Sequence, residues 1–405
     1  MREALTVAYY APSWPLDFGP ANGIVSYVAS MKRAMELRGH RVLVVTGRLG
    51  PGADPETTIE VPQQPPSPAA RVRRKLARAI GAAPDPHADF ARRLGDSLAR
   101  RDGLDIVEVE ESFGFFREIA AAVACPAVMR LHGPWFKTVQ IEGRDPQAPE
   151  NARRLAAEAD AFRKAGAATA PTRAVLDGMI AQSGYRPPIA QTIFNPVEIP
   201  DQPLEIDETN ANAILFVGRT DACKGIDIAL GAFDRVARDH PAATLTVIGA
   251  DRGLETDEGT VHFDELAKQL VHDEARARIT YLGPLPRSEV QEHRHRHGIT
   301  LIASRYENLP YAATEAMAIG SAVVSTSYAG VEEIIEHGRT GLVAPGCASE
   351  TLAEALGGLV GQPGRQQALG TAARAFAQDE LSLQALGQKT EDLYRTVISR
   401  FGTGD

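Results

Sequence analysis

The stretch Ser304–Val324, S-R-Y-E-N-L-P-Y-A-A-T-E-A-M-A-I-G-S-A-V-V, decides the fold. The apolar run Ile299-Thr300-Leu301-Ile302-Ala303 leads into it and reads as a buried parallel strand. Ala312–Ala318 reads as a short helix stopped at Gly320, and Ala322–Thr326 as the next strand. Glu307 sits on the loop and Glu315 is expected in the helix's first turn, with seven residues between the two acids. In an open α/β sheet, ligands bind outside the carboxyl ends of the strands. Both acids are therefore candidate ligand-binding residues.

Working outward, the same order of elements repeats. Strands are expected at 213–217, 243–249 and 279–282, alternating with helices at 226–239, 263–277 and 287–295. The first half alternates likewise, with strands at 5–10, 42–46, 106–109, 127–131, 167–170 and 189–194. Its helices are expected at 24–38, 113–124, 148–164 and 173–182. Repeated β-then-α order predicts mostly parallel, doubly wound sheets. Asn195–Asn212 carries three prolines and five acids without periodicity and reads as a linker. The tail from Ala348 to Phe401 is helical in pattern. Two Rossmann-like domains follow, spanning 1–197 and 198–382 and facing an interdomain cleft. A chain of 405 residues suits two such cores.

Composition narrows the function classes. A net charge of −9 gives no support for nucleic-acid binding. No run of about 18 apolar residues or secretory signal is apparent, so a cytoplasmic protein is expected. Cys125, Cys223 and Cys347 are scattered and in no metal-ligand spacing. Segment 71–101 is basic, with Arg71, Arg73, Arg74, Lys75, Arg78, Arg92, Arg93, Arg100 and Arg101. It reads as a solvated helix face in preference to a peripheral membrane contact, because no strong apolar face accompanies the charges.

Arg219 and Lys224, in F-V-G-R-T-D-A-C-K-G, stand between a strand's end and a helix's start. Two cations at such a corner can neutralise a pyrophosphate. Lys224 is expected to lower the pKa of Cys223, which is given no role. His132, in M-R-L-H-G-P-W, follows a strand and faces the ligand end of its sheet. The run His293-Arg294-His295-Arg296-His297 reads as a solvated helix end rather than a metal site, since its arginines repel a cation. Gly19 and Gly23 bracket the end of a loop ahead of a helix, a layout suited to a phosphate. Paired acids also occur in glycoside hydrolysis. A phosphate leaving group, however, needs charge stabilisation rather than protonation, which turns Glu307 and Glu315 into hydroxyl acceptors.

These residues resemble the retaining glycosyltransferases of family 4, with GT-B architecture. The likeness runs through Phe216–Gly225, Tyr281–Pro286, the E-x7-E pair Glu307–Glu315, and Ala329–Gly346. It implies that Arg219 and Lys224 hold a donor diphosphate, Glu315 the donor ribose and Glu307 the transferred sugar. Backbone amides of the Asn308-Leu309-Pro310 turn and its successors approach sugar and phosphate. His132 lies near the reaction centre, and Gly23 beside Asn22 allows close approach to the diphosphate. The last helix, 383–405, completes the first, acceptor-binding domain, and the second binds the donor. No metal or other cofactor is expected, the nucleotide-sugar being a co-substrate, with UDP the favoured nucleotide. The acceptor is a hydroxylated small molecule, a polysaccharide or a lipid-linked sugar.

Two departures from the family stand out. Asn22-Gly23 replaces paired glycines, and Asn308-Leu309-Pro310 replaces glycine, phenylalanine and glycine, removing one backbone N–H at Pro310. A GT-B nucleotide-sugar 2-epimerase and a catalytically inactive sugar-nucleotide-binding subunit are the alternative readings. The first has no use for the E-x7-E layout, and the second is at odds with the presence of all four charged residues.

Overall fold

Valine, isoleucine and alanine fill the strands of this chain because parallel sheets are covered on both faces. A computed structural model describes residues 3–16, 18, 22–63, 72, 76 and 87–402. The chain forms two compact units, Met1–Pro196 with Leu386–Asp405, and Val197–Ala385.

Unit 1 holds β1 (Thr6–Ala11), α1 (Gly23–Glu36), β2 (Arg41–Thr46), β3 (Thr58–Glu60), α2 (Ala88–Ala99), β4 (Ile106–Glu110) and α3 (Phe115–Ala122). It continues through β5 (Ala127–Arg130), α4 (Trp135–Ile141), α5 (Pro149–Arg163), β6 (Ala167–Ala170), α6 (Arg173–Ser183) and β7 (Ile189–Thr192). The strands form one parallel sheet in the order β3-β2-β1-β4-β5-β6-β7. β3 and α4 lie where no strand or helix was expected. Both are short, and so too brief to show a period. Gly19 and the basic residues Arg71, Arg73, Arg74, Lys75 and Arg78 lie outside the described residues. Within the described part of that basic segment, α2 buries Phe90, Ala91, Leu94 and Leu98, and Arg92 pairs with Asp89.

Unit 2 holds β8 (Ala213–Val217), α7 (Ile226–Asp239), β9 (Thr244–Ile248), the hairpin β10 (Leu254–Thr256) and β11 (Gly259–Val261), α8 (Phe263–Leu270) and α9 (Asp273–Arg276). Then come β12 (Ile279–Tyr281), α10 (Arg287–Arg294), β13 (Ile299–Ile302), α11 (Tyr311–Ile319), β14 (Ala322–Thr326), β15 (Leu342–Ala344), α12 (Ser349–Gly357) and α13 (Pro363–Phe376). The parallel sheet runs β12-β9-β8-β13-β14-β15. The helix expected over 263–277 is two helices. Buried Asp234 on α7 accepts the His272 N–H at 2.9 Å, and Val271 turns extended to allow it. A tertiary acceptor outcompetes helix continuation there.

The last helix, α14 (Leu383–Phe401), belongs to unit 1 from Leu386 onward. Leu386, Leu393, Tyr394 and Val397 pack with Val7, Tyr9, Val28 and Met31. Tyr394 donates to buried Glu108 on β4 at 2.9 Å, and Tyr27 donates to the other carboxylate oxygen at 2.7 Å. Among the described residues no helix is long and apolar enough to cross a membrane.

Candidate active site

In unit 2, the corner after β8 and the loop after β13 are built into one another. Asp221 organises the first. Its Oδ2 accepts from Arg219 Nε at 2.5 Å, and its Oδ1 accepts from the Lys224 backbone N–H at 2.9 Å. Gly225 then starts α7 at φ +68°, and a Cβ there would lie 1.9 Å from the Ala303 carbonyl oxygen at the end of β13. Only glycine combines that backbone with that approach.

The approach brings Lys224 Nζ to 2.5 Å from Glu307 Oε1, which also accepts from Ser304 Oγ at 2.7 Å. Arg305 fastens the loop from its far side. Its N–H donates to the Cys223 carbonyl at 2.9 Å, and its guanidinium grips both oxygens of Asp227 at 2.8 and 2.6 Å. The structure thus gathers Arg219, Lys224 and Glu307 at the carboxyl ends of neighbouring strands. Each cation carries a carboxylate partner, Asp221 for Arg219 and Glu307 for Lys224. Arg219 is half exposed, and only its Nε is engaged among the described residues.

Leu309 is buried and Pro310 caps α11, its carbonyl accepting from Ala313 and Thr314. Asn308 accepts from the Tyr306 hydroxyl. Glu315 is the fifth residue of α11, not in its first turn as expected, because the helix already starts at Tyr311 behind the proline. Two arginines hold it, Arg294 at 2.8 Å on Oε2 and Arg287 at 3.3 Å on Oε1.

Two expectations need correction. The segment His293–His297 is not a solvated helix end, since Arg294 and His297 are buried and His297 Nε2 lies 2.8 Å from Thr246 Oγ1. The Cys223 thiol is pushed up rather than down, by burial and then by the Glu307 charge, which together outweigh Lys224.

In unit 1, Asn22 caps α1, its Oδ1 accepting from the Ile24 N–H at 2.9 Å. A Cβ on Gly23 would meet nothing within 4 Å, so no packing inside the described protein demands glycine. His132 follows β5, its ring edge-on to Tyr27 at 4.8 Å. Burial and the Arg130 charge pull its pKa well below the ordinary histidine range, leaving the imidazole neutral at pH 7. The fully buried Glu111 accepts from the His132 and Gly133 N–H groups at 2.9 and 2.7 Å. Arg130 donates to Asn195 at 2.6 Å. Asp221, Arg305 and Glu111 were not singled out in the sequence. For Glu111 the signal was the run Glu108-Val109-Glu110-Glu111, acids in and directly after an apolar strand, and all three acids are buried.

Glu110, beside Glu111, is raised to about 8, first by burial and then by the Glu111 charge. Its ordinary value is 4.5, so between about pH 4.5 and 8 the folded chain keeps a proton that the unfolded chain has lost. Stability from this group is full below pH 4.5 and is lost as pH rises through 8. Glu110→Gln, which cannot ionise, is expected to gain melting temperature relative to wild type steadily from pH 5 to 8.5. Parallel melting curves across that range would remove the claim.

The profile described as "Glycosyl transferase 4-like domain" matches residues 22–195, and that described as "Glycosyl transferases group 1" matches residues 201–376. The chain belongs to the GT4-type glycosyltransferases. The glycogen synthase of Mycobacterium tuberculosis is 28% identical over 186 residues, 46% of this chain and 43% of that protein. The chain spans about half the length of the curated relatives it matches. Among solved structures, sucrose-phosphate synthase from Thermosynechococcus elongatus superposes with a TM-score of 0.76 at 18% identity, covering 98% of this chain and 100% of that one. Anabaena Alr3699/HepE in complex with UDP-glucose gives 0.66 at 16%, covering 97% and 100%. These likenesses give the GT4 chain its GT-B fold. Among the described residues no group of three or more His, Cys, Asp and Glu side chains is arranged to hold a metal.

Proposed function

We propose that this GT4-type protein transfers a hexosyl or N-acetylhexosaminyl group from a nucleotide-diphosphate sugar to a hydroxyl acceptor, with retention at the anomeric carbon and without a metal. The observation that carries the reading is the meeting of Arg219, Lys224 and Glu307 at the carboxyl ends of β8 and β13. A donor diphosphate replaces the carboxylates as partner of the two cations, which then carry the charge that builds on the departing phosphate. Glu307, released from Lys224, accepts from hydroxyls of the transferred sugar, and Glu315 accepts from the ribose. In unit 1, the neutral His132 and the uncrowded Gly23 are assigned to the same reaction. The family resemblance supports those assignments, and the UDP-glucose named with the Anabaena structure supports UDP as the nucleotide.

The retaining route needs no protein nucleophile. The C–O bond to the leaving phosphate breaks, and the acceptor oxygen bonds to the same face of an oxocarbenium-like carbon. Its proton passes to the departing phosphate oxygen. The test is release of nucleoside diphosphate from UDP-, GDP-, ADP- and TDP-sugars in EDTA, with and without a panel of hydroxylated acceptors. Acceptor-dependent release is expected with one nucleotide class. Binding without release, or an altered sugar still on its nucleotide, would contradict the reading.

A further inference from the structure

Arg294, the last residue of α10, is the feature of the donor unit that this reading does not use. It is 1% exposed, which for a guanidinium demands partners that repay its desolvation. Two are present. One terminal nitrogen donates to Glu315 Oε2 at 2.8 Å, and the other to the Ala312 carbonyl at 3.2 Å in the first turn of α11. Its Nε is buried with no partner among the described residues. Glu315 is thus the one carboxylate paired with this buried charge among the described residues. The opposite oxygen, Oε1, faces only Arg287, at a looser 3.3 Å and on a side chain 35% exposed.

We propose that Arg294 is a positioning residue of the nucleotide subsite, locking Oε2 of Glu315 so that Oε1 is presented to the ribose diol of the donor. The proposal rests on Glu315 holding the ribose. A free glutamate on a helix surface samples several rotamers, and freezing it on binding costs affinity. Here the buried fork does the freezing in advance, and it does so from α10 while also fixing the first turn of the helix that carries Glu315. Arg287, long and half exposed, can move aside or share Oε1 as the hydroxyls arrive. The two arginines therefore divide the carboxylate into a fixed half and an exchangeable half.

The experiment titrates ADP, GDP and UDP, each beside its 2′,3′-dideoxy form, into wild type, Arg294→Met and Arg294→Lys. Wild type is expected to prefer the ribose form of its nucleotide by about 10- to 100-fold, the range for hydrogen bonds to a charged acceptor. Arg294→Met should lose most of that preference while binding the dideoxy form within about twofold of wild type, a normal scatter for an untouched contact. Arg294→Lys, which keeps a cation near Oε2, should recover part of it. In turnover, Arg294→Met should raise the donor KM more than it lowers kcat. If the methionine variant does not fold, Arg294→Gln serves in its place with the same expected loss. A wild-type preference that survives in the variant overturns the role of Arg294 alone, as does an equal loss for ribose and dideoxy forms. No preference in wild type overturns the assignment of Glu315 to the ribose, and the proposal with it.

Discussion

Lys224→Ala is expected to lower turnover about 10²- to 10³-fold at saturating donor, the loss typical when one preorganised donor to a developing negative charge is removed. The ammonium lies 2.5 Å from Glu307 and is one of two cations that Asp221 sets in place, one through a side chain and one through a backbone N–H. On the proposed reading its charge acts when the phosphate departs, so kcat is expected to fall more than donor affinity. The fold should survive. Lys224 is partly exposed, and Glu307 keeps the Ser304 hydroxyl as a donor at 2.7 Å. The stability cost is then about 1–2 kcal/mol, within the range for one lost partner of a partly buried carboxylate. Initial rates of nucleoside diphosphate release, read beside thermal melts, separate the two effects. Wild-type turnover in this variant would remove Lys224 from the chemistry.

Gly225→Ala should do the opposite, striking the fold first. Its φ of +68° costs a non-glycine residue about 1 kcal/mol, and the added Cβ would sit 1.9 Å from the Ala303 carbonyl oxygen. Backbone must move to relieve that clash, and a total of about 3 kcal/mol is expected, near 6–12 °C in melting temperature for a unit of this size. The displaced pieces are α7's start and β13's end, which carry Lys224 and Glu307, so nucleotide affinity should fall as well. Gly346→Ala is the control. Its φ is +72° but a Cβ there meets nothing within 4 Å, and it should cost only about 1 kcal/mol. Equal melting temperatures for the two variants would mean that the close approach at Gly225 is not what holds the corner together.

Much of the fold was legible because period and punctuation agreed. Ala213–Val217 and Ile226–Asp239 carry unbroken apolar patterns, and the structure has a strand and a helix with those same bounds. What escaped was brief or decided at a distance. β3, β15 and the β10–β11 hairpin have three residues per strand, too few for alternation to register. The break after Leu270 depends on Asp234, far away in sequence.

The site divides in the same way. Arg219, Lys224 and Glu307 were visible as charges at strand ends, and the structure brings them together. Asp221 and Arg305 were not visible, because an Asp or Arg in a loop is ordinary until its partner is known. The H-R-H-R-H run misled for a related reason. Its composition is that of a solvated surface, yet Arg294 is buried by pairing with Glu315 twenty-one residues on.

A donor diphosphate is expected to bind unit 2 through Arg219 and Lys224 with no metal in attendance. Titration calorimetry of the accepted nucleoside diphosphate, in EDTA, against wild type and the Arg219→Ala/Lys224→Ala double variant tests it most directly. Saturable one-to-one binding to wild type that magnesium does not strengthen is expected, and loss of that binding in the double variant. Binding that appears only with added magnesium, or that persists unchanged without the two cations, would contradict it.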